Sequence, residues 1–397
     1  MTATAQPAPS ERTSFATVLG LWAAGLGAAA QFGKVSVSFT LLSEHYGAAG
    51  AKLGFAVSLV GFVGVLFGVV AGLIVASIGY RRALIAALAL GAVVSAWQAM
   101  LPSLPLFLFS RALEGASHLA IVVSAPTLIA QISAPRHRGL TLSLWSTFFG
   151  VAFFLLVLFG LPLARAWGVG ALYGAHGIYM AAMALLVALM LPRDVVGPRS
   201  GLLSLRSVVA EHIRIYRSPW RNAPALGWFF YAATWVAILT IMPQYLPEGT
   251  IRDSVVAFMP LAGICSSMTL GVLLLRRFPA VTVIRIGFAA CALASIAIWL
   301  APQNPLCYIA LALCLGLVQG SSFTAIPQLN EDATARAEAN GALAQMGNLG
   351  TTTGTPILAA MVGTWGPTGF LVFALGLYCC GFVMHMLLAQ RRRRASA

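Results

Sequence analysis

Residues 104–133 read LPLFLFSRALEGASHLAIVVSAPTLIAQIS. This mostly apolar run is longer than the roughly 20 residues a membrane-crossing helix needs. Yet Arg111, Glu114 and His118 stand inside it. At about 100° per residue, positions i, i+3 and i+7 fall within about 60° of one another, so the three groups share one helix face. Arg111 lies roughly 10 Å from the near end at 1.5 Å per residue, too deep for simple snorkelling. Each such charge costs about 2.5–3.5 kcal/mol at a helix centre. The helix must turn this face to a partner or to water.

The rest of the chain is of the same apolar kind. Of 397 residues, 59% are hydrophobic and only 9% are charged, against about 25% charged in soluble domains. The reading is an all-α, polytopic membrane protein. A net charge of +14 in a soluble chain would suggest nucleic acid. Here the basic residues gather at the ends of apolar runs, which is topology bias, so no nucleic-acid partner is expected. Cys265, Cys291, Cys307, Cys314, Cys379 and Cys380 all lie in apolar segments without CxxC spacing, as membrane-packed thiols rather than disulfides or metal ligands.

Twelve apolar segments of spanning length can be drawn: 15–42, 53–78, 83–101, 104–133, 139–164, 169–192, 222–247, 254–275, 280–301, 304–330, 340–364 and 367–390. They are called spans one to twelve below. Residues 1–13 are polar and Pro/Ala-rich, and are expected to be a disordered tail. The basic, partly amphipathic stretch 193–220 separates six spans from six, giving bundles at 14–192 and 221–390 and a basic tail at 391–397. With the N-terminus inside, eighteen Lys/Arg fall on inner segments and three, Lys52, Arg165 and Arg252, on outer loops. Lys34, Arg111 and Arg285 are within spans. This bias places both termini in the cytoplasm of a cell whose inner membrane holds the chain.

An internal repeat runs at an offset near 200. Gly72, Trp97, Pro102, Gly115, Pro126 and Gly139 correspond in order to Gly271, Trp299, Pro302, Gly316, Pro327 and Gly341. Each half crosses six times, so the repeat keeps its orientation, as two six-helix bundles related by an axis along the membrane normal require.

With the repeat in place, several motifs resemble the major facilitator superfamily over essentially the whole chain. Between spans two and three, Gly72, Gly79, Arg81 and Arg82 match that family's gating motif. Ala76 and Ser77 replace its acid and its base, so the ion pair that latches the inner side is missing. Arg111-Ala-Leu-Glu114-Gly115 is similar to the Arg-x-x-polar-Gly motif that the family links to proton coupling. Span five lacks the Gly-Pro-x-x-Gly kink of drug antiporters. Within the family, the span-four run and Gln345 to Pro356 resemble a cyanate-permease-like branch. Gly347 to Gly350 is also similar to nitrate porters, but spans two and eight lack the arginines those porters use.

Lys34 is the second cation of interest. Gln31, Lys34 and Ser38 share one face of span one. The resemblance implies that spans one, four, seven and ten line a central cavity, so Lys34, Arg111 and Glu114 would meet. Fixed donors of this kind suit a small dehydrated anion; the plainer reading is that a cation pairs Glu114 to hold two helices together. Glu114 is the one acid inside any span and so the leading proton carrier. His118 aligns with Gln319 across the repeat and can donate to substrate or rest as a core histidine. His176 and His385 stand alone on apolar spans and read as packing residues. Tyr231 and Trp235 on span seven, Gln319 on span ten and Asn348 on span eleven can wall a pocket, though aromatic stripes are commonly packing. Arg285 reads as snorkelling.

No hydrolase constellation, phosphate loop or metal spacing is present in the sequence, so neither enzyme activity nor a cofactor is expected. The expectation is a monomeric secondary transporter of a small anion, by proton-linked symport or uniport with alternating access. A proton-linked exporter of small organic compounds is the alternative, and a non-transporting receptor on the same fold is the remote one.

Overall fold

A computed structural model describes residues 13–48, 50–68, 71–192, 205–331 and 333–396. Among these residues the regular structure is helical. Ten helices are long and apolar enough to cross a membrane: Phe15–Val37, Tyr80–Ala99, Leu104–Ile132, Phe148–Trp167, Val169–Met190, Asn222–Tyr245, Thr250–Leu275, Ala280–Leu300, Pro305–Leu329 and Pro367–Ala395. The two other expected spans differ for physical reasons. Span two is interrupted, with a 3-10 turn at Leu59–Gly61 and a second helical piece at Ala71–Ile78. Span eleven is the long helix Ala333–Trp365, whose Gly347–Thr355 run is too polar to count by hydropathy. Ile178, Leu185, Leu189, Leu293 and Leu306 are among the large apolar side chains left exposed. Such a surface suits acyl chains rather than water.

Helix ends follow local chemistry. Span four starts after Ser103, and Pro105 is tolerated because the first turn leaves its N–H groups unpaired anyway. The helix continues through Pro126, and Thr127 donates to the Val123 carbonyl at 2.8 Å. Span ten starts at Asn304, whose side chain accepts from the Leu306 N–H at 3.0 Å. Span one ends earlier than expected, at Val37, and a separate helix runs Phe39–Tyr46. Spans five and eight each hold a π turn, at Leu156–Gly160 and Ser267–Gly271. Span twelve stays helical to Ser396, so Arg391 to Arg394 form its last turns rather than a separate tail. Of the expected disordered tail, 1–12 lie outside the described residues. Thr13 bonds His137 Nδ1 at 3.0 Å and accepts from the Ala134 N–H. Of the linker, 193–204 lie outside the described residues and Leu205–Arg217 is a helix.

The chain divides into two compact units. The first comprises 1–38 and 70–202, the second 39–69 and 203–397. This division departs from the sequence halves at 39–69. The cause is a glycine-lined seam between span two and span eleven. Gly54 lies against the Pro356 backbone, Gly61 against Thr351 and Thr352, Gly64 against Asn348 and Gly68 against Gln345. A side chain at Gly54, Gly61 or Gly64 would collide with these neighbours, and one at Gly68 would crowd Gln345, so glycine sets the approach of the two helices. Gln345 closes the seam by donating to the Val65 carbonyl at 2.8 Å.

Within the first unit, span one is enclosed by spans four, five and six. Val18, Leu21, Ala24 and Ala28 pack with Leu84, Leu88, Ile121, Ile129 and Met180 in one apolar cluster. One end of this unit is tied by Arg81, which donates to the Leu191 carbonyl at 2.9 Å and the Ala188 carbonyl at 2.7 Å, where span six ends.

Candidate functional site

The charged face of span four meets span one in the interior of the first unit. Glu114 is the centre. Its Oε1 accepts from Lys34 Nζ at 2.7 Å, and its Oε2 accepts from Gln98 Nε2 at 3.0 Å and from an Arg111 Nη. Lys34, Arg111 and Glu114 all have zero exposure. The two cations expected from sequence therefore share one carboxylate.

Neutral groups complete the shell. Lys34 Nζ also donates to Ser95 Oγ at 2.8 Å and lies 3.2 Å from His176 Nδ1, so each ammonium proton has a partner. His176 Nε2 donates to the Gly27 carbonyl at 3.0 Å, which fixes the tautomer and leaves Nδ1 as the acceptor. The Tyr173 ring lies 5.0 Å from the ammonium. Arg111 spends its other arm on the Gln31 carbonyl at 2.6 Å. Gln31 donates through Nε2 to Ser117 Oγ at 2.8 Å, and Ser117 donates to the Ala87 carbonyl. Spans one, three, four and six thus converge on one polar core.

With His176 neutral by its bonding, this core holds two cations and one carboxylate. A surplus positive charge remains in a low-dielectric interior, where an uncompensated ion is costly. Two acceptors, Gln31 Oε1 and Gln98 Oε1, are buried without a partner among the described residues.

The other predicted residues fall in separate places. His118 turns to span one, but its Nδ1 donates to the Ala28 carbonyl at 3.0 Å and its ring stands edge-on to Phe32 at 5.0 Å. It adjoins the charged core without bonding it. Ser38 bonds back to the Lys34 carbonyl at 2.6 Å. In the second unit, Trp228, Tyr231 and Trp235 stack along span seven, with centroids 4.5 and 6.1 Å apart. Tyr231 donates to Gln319 Oε1 at 3.3 Å, so these three predicted residues do meet. Asn348 does not join them: it donates to the Ala344 carbonyl at 2.9 Å and fills the space opposite Gly64. Gly79 has φ +98°, which favours glycine, and precedes the Tyr80–Ala99 helix. Arg82 is exposed, and Gly72 lies in the Ala71–Ile78 helix.

His176, read from sequence as a packing residue, is instead a bonded member of the core. Ser95 and Gln98 were also absent from the sequence reading. The six cysteines are free; Cys291 is buried, and Cys265, Cys379 and Cys380 are exposed on the apolar faces of spans eight and twelve. Among the described residues no group of His, Cys, Asp and Glu could hold a metal.

A family model described as Major Facilitator Superfamily matches residues 18–355. The chain belongs to that superfamily. Solved structures agree in fold. A bacterial homologue of the human lysosomal transporter Spinster, inward-facing and occupied, matches with TM-score 0.75 at 14% identity over 98% of each chain. The same homologue, inward-facing and unoccupied, matches with TM-score 0.69 at 13% identity over 94% of each chain. A variant of the nucleoside transporter NupG matches with TM-score 0.71 at 14% identity, over 94% of this chain and 99% of that one. Identities this low establish the fold and no more. No curated protein matches the sequence. As a major facilitator superfamily member, the chain is an integral membrane transporter of a small-molecule solute.

Proposed function

We propose that this transporter moves a small organic or inorganic anion by proton-linked symport, with Glu114 as the proton carrier and Lys34 and Arg111 as the anion's donors. The observation that carries this reading is the buried core of two cations sharing one carboxylate. Deprotonated Glu114 occupies both cations. A proton on Glu114 removes that counter-charge and leaves Lys34 and Arg111 to take an anion in its place. Proton and anion then enter the core together, which is symport; an anion displacing Glu114 without a proton would give uniport.

In this reading Gln31 and His118 are further donors beside the anion. Tyr231, Trp235 and Gln319, which meet within the second unit, are further solute contacts, and Asn348 acts with them only if span eleven turns. Gly72, Gly79, Arg81 and Arg82 serve the gate. The solute crosses by alternating access, in the inner membrane, with both termini cytoplasmic and the chain a monomer. The protein is not an enzyme.

Uptake into proteoliposomes tests the proposal, using small carboxylates, cyanate, nucleosides and neutral solutes, with and without a pH gradient. The expected result is saturable uptake of an anion, driven by the gradient and uncoupled from it in Glu114→Gln. Uptake confined to neutral or cationic solutes overturns the anion reading. Unchanged coupling in Glu114→Gln removes that residue as carrier.

A further inference from the structure

On the glycine-lined seam of the second unit, Ser58 Oγ, Thr352 Oγ1 and Thr355 Oγ1 are buried and have no hydrogen-bond partner among the described residues. Ser58 of span two and Thr355 of span eleven have zero exposure. A buried hydroxyl left in this state is costly. A helical threonine has a simple remedy, a bond back to a carbonyl three or four residues earlier. The neighbours use it: Thr351 donates to the Gly347 carbonyl at 3.1 Å, and Thr353 to the Leu349 carbonyl at 2.8 Å. Thr352 and Thr355 forgo it.

Contacts across the seam bring these groups together. A Cβ on Gly54 would stand 2.8 Å from the Pro356 Cα and 3.3 Å from the Thr355 carbonyl oxygen, and one on Gly61 would strike Thr352 Oγ1. Ser58 lies between these two glycines, four residues after one and three before the other, and so shares their face. The turn of span eleven opposite that face runs from Thr352 to Pro356. Pro356 adds a fourth oxygen to the set. It has no N–H, so the Thr352 carbonyl, four residues back, lacks its helical donor. Span two is irregular at the same level, with the 3-10 turn Leu59–Gly61.

The donor set selects the guest. Hydroxyls rotate and can turn their lone pairs to one point beside the carbonyl. An anion would meet the negative end of that carbonyl. The seam contacts of Gly54, Gly61, Gly64 and Gly68 are all to neutral groups, so a cation meets no like charge there, and no carboxylate. Calcium and magnesium draw on carboxylates, which leaves a monovalent ion. Carbonyls released where membrane helices break are ligands that suit sodium.

We propose that Ser58 Oγ, Thr352 Oγ1, Thr355 Oγ1 and the Thr352 carbonyl form a sodium site that fastens span two to span eleven. One ion satisfies all four oxygens, which is why the two threonines do not bond back to their own helix. The site belongs to the second unit and shares no residue with the Lys34–Glu114 core, so it stands whichever solute is carried.

The test is binding of radioactive sodium to the purified full chain, alongside thermal unfolding in sodium chloride and in choline chloride at equal ionic strength. The expected result is saturable binding, displaced by unlabelled sodium and not by choline, with a higher melting temperature in sodium. Thr355→Val and Ser58→Ala each remove only an unbonded hydroxyl, so each should keep the fold. Each should weaken sodium binding about ten-fold, as the loss of a group around a bound metal does, and shrink the melting difference between the two salts. Absence of saturable sodium binding overturns the proposal. Sodium binding unchanged in both variants overturns it as well, and a melting temperature then lowered equally in the two salts would assign the hydroxyls to a buried water.

Discussion

Spans four and ten occupy equivalent places in the internal repeat, yet their interiors are opposites. Where span four carries Arg111 and Glu114, span ten carries Ala312 and Leu315, and all four are buried. His118 corresponds to Gln319. In the first unit the buried charges are met by Ser95, Gln98 and His176. In the second, span ten meets Tyr231 through a single side-chain bond at 3.3 Å. One helical frame therefore accepts either a dense polar core or an apolar, aromatic one. Span ten packs without charges of this kind.

The sharpest way to break this contrast is Glu114→Ala. It leaves Lys34 and Arg111 buried without a counter-charge, and should cost about 3–5 kcal/mol of stability. Thermal unfolding of purified protein would show the loss; an unchanged melting curve would mean that water or lipid reaches the core. The opposite experiment makes the first unit resemble the second. Replacing Lys34, Arg111 and Glu114 together by Met, Met and Leu should be neutral or stabilising by about 1–4 kcal/mol, while uptake disappears. A collapsed triple variant would show that the charges are structural after all.

Smaller effects sharpen the comparison. His176→Leu removes a bond to a charged group and should cost about 1.5–3 kcal/mol, read by the same unfolding measurement. Tyr231→Phe loses only its bond to Gln319, about 0.5–1.5 kcal/mol, and equal losses in the two would erase the distinction between the units. Smallest is Arg214→Gln, whose ion pair with Glu338 at 2.5 Å is half-exposed on the linker helix. It should cost below about 1 kcal/mol and fade as salt is added.

Helix spacing in the sequence brought Arg111, Glu114 and His118 to one face and named Lys34 as their partner, because charge in an apolar run is a loud signal. His176, Ser95 and Gln98 were not legible in that way. Each is a single neutral group on a different helix, and its role exists only once spans three and six are packed. The glycines at 54, 61 and 68 recur every seven residues, a helix-face pattern that could have announced the seam. Their partner, however, is a polar run of span eleven that reads equally well as a solute-facing surface. For the same reason Asn348 was expected at a pocket and is found filling the space beside Gly64.

That seam has a consequence for how the chain is made. Gln345 and Val65, which bond across it, are 280 residues apart. At about 5–20 residues per second of synthesis, span two waits roughly 14–56 s for its partner to leave the ribosome. Throughout that interval its narrow, groove-like glycine face has only lipid, or the insertion machinery, against it. Nascent chains arrested before span eleven should therefore be held by that machinery, and the first half expressed alone should be the less durable product in the cell.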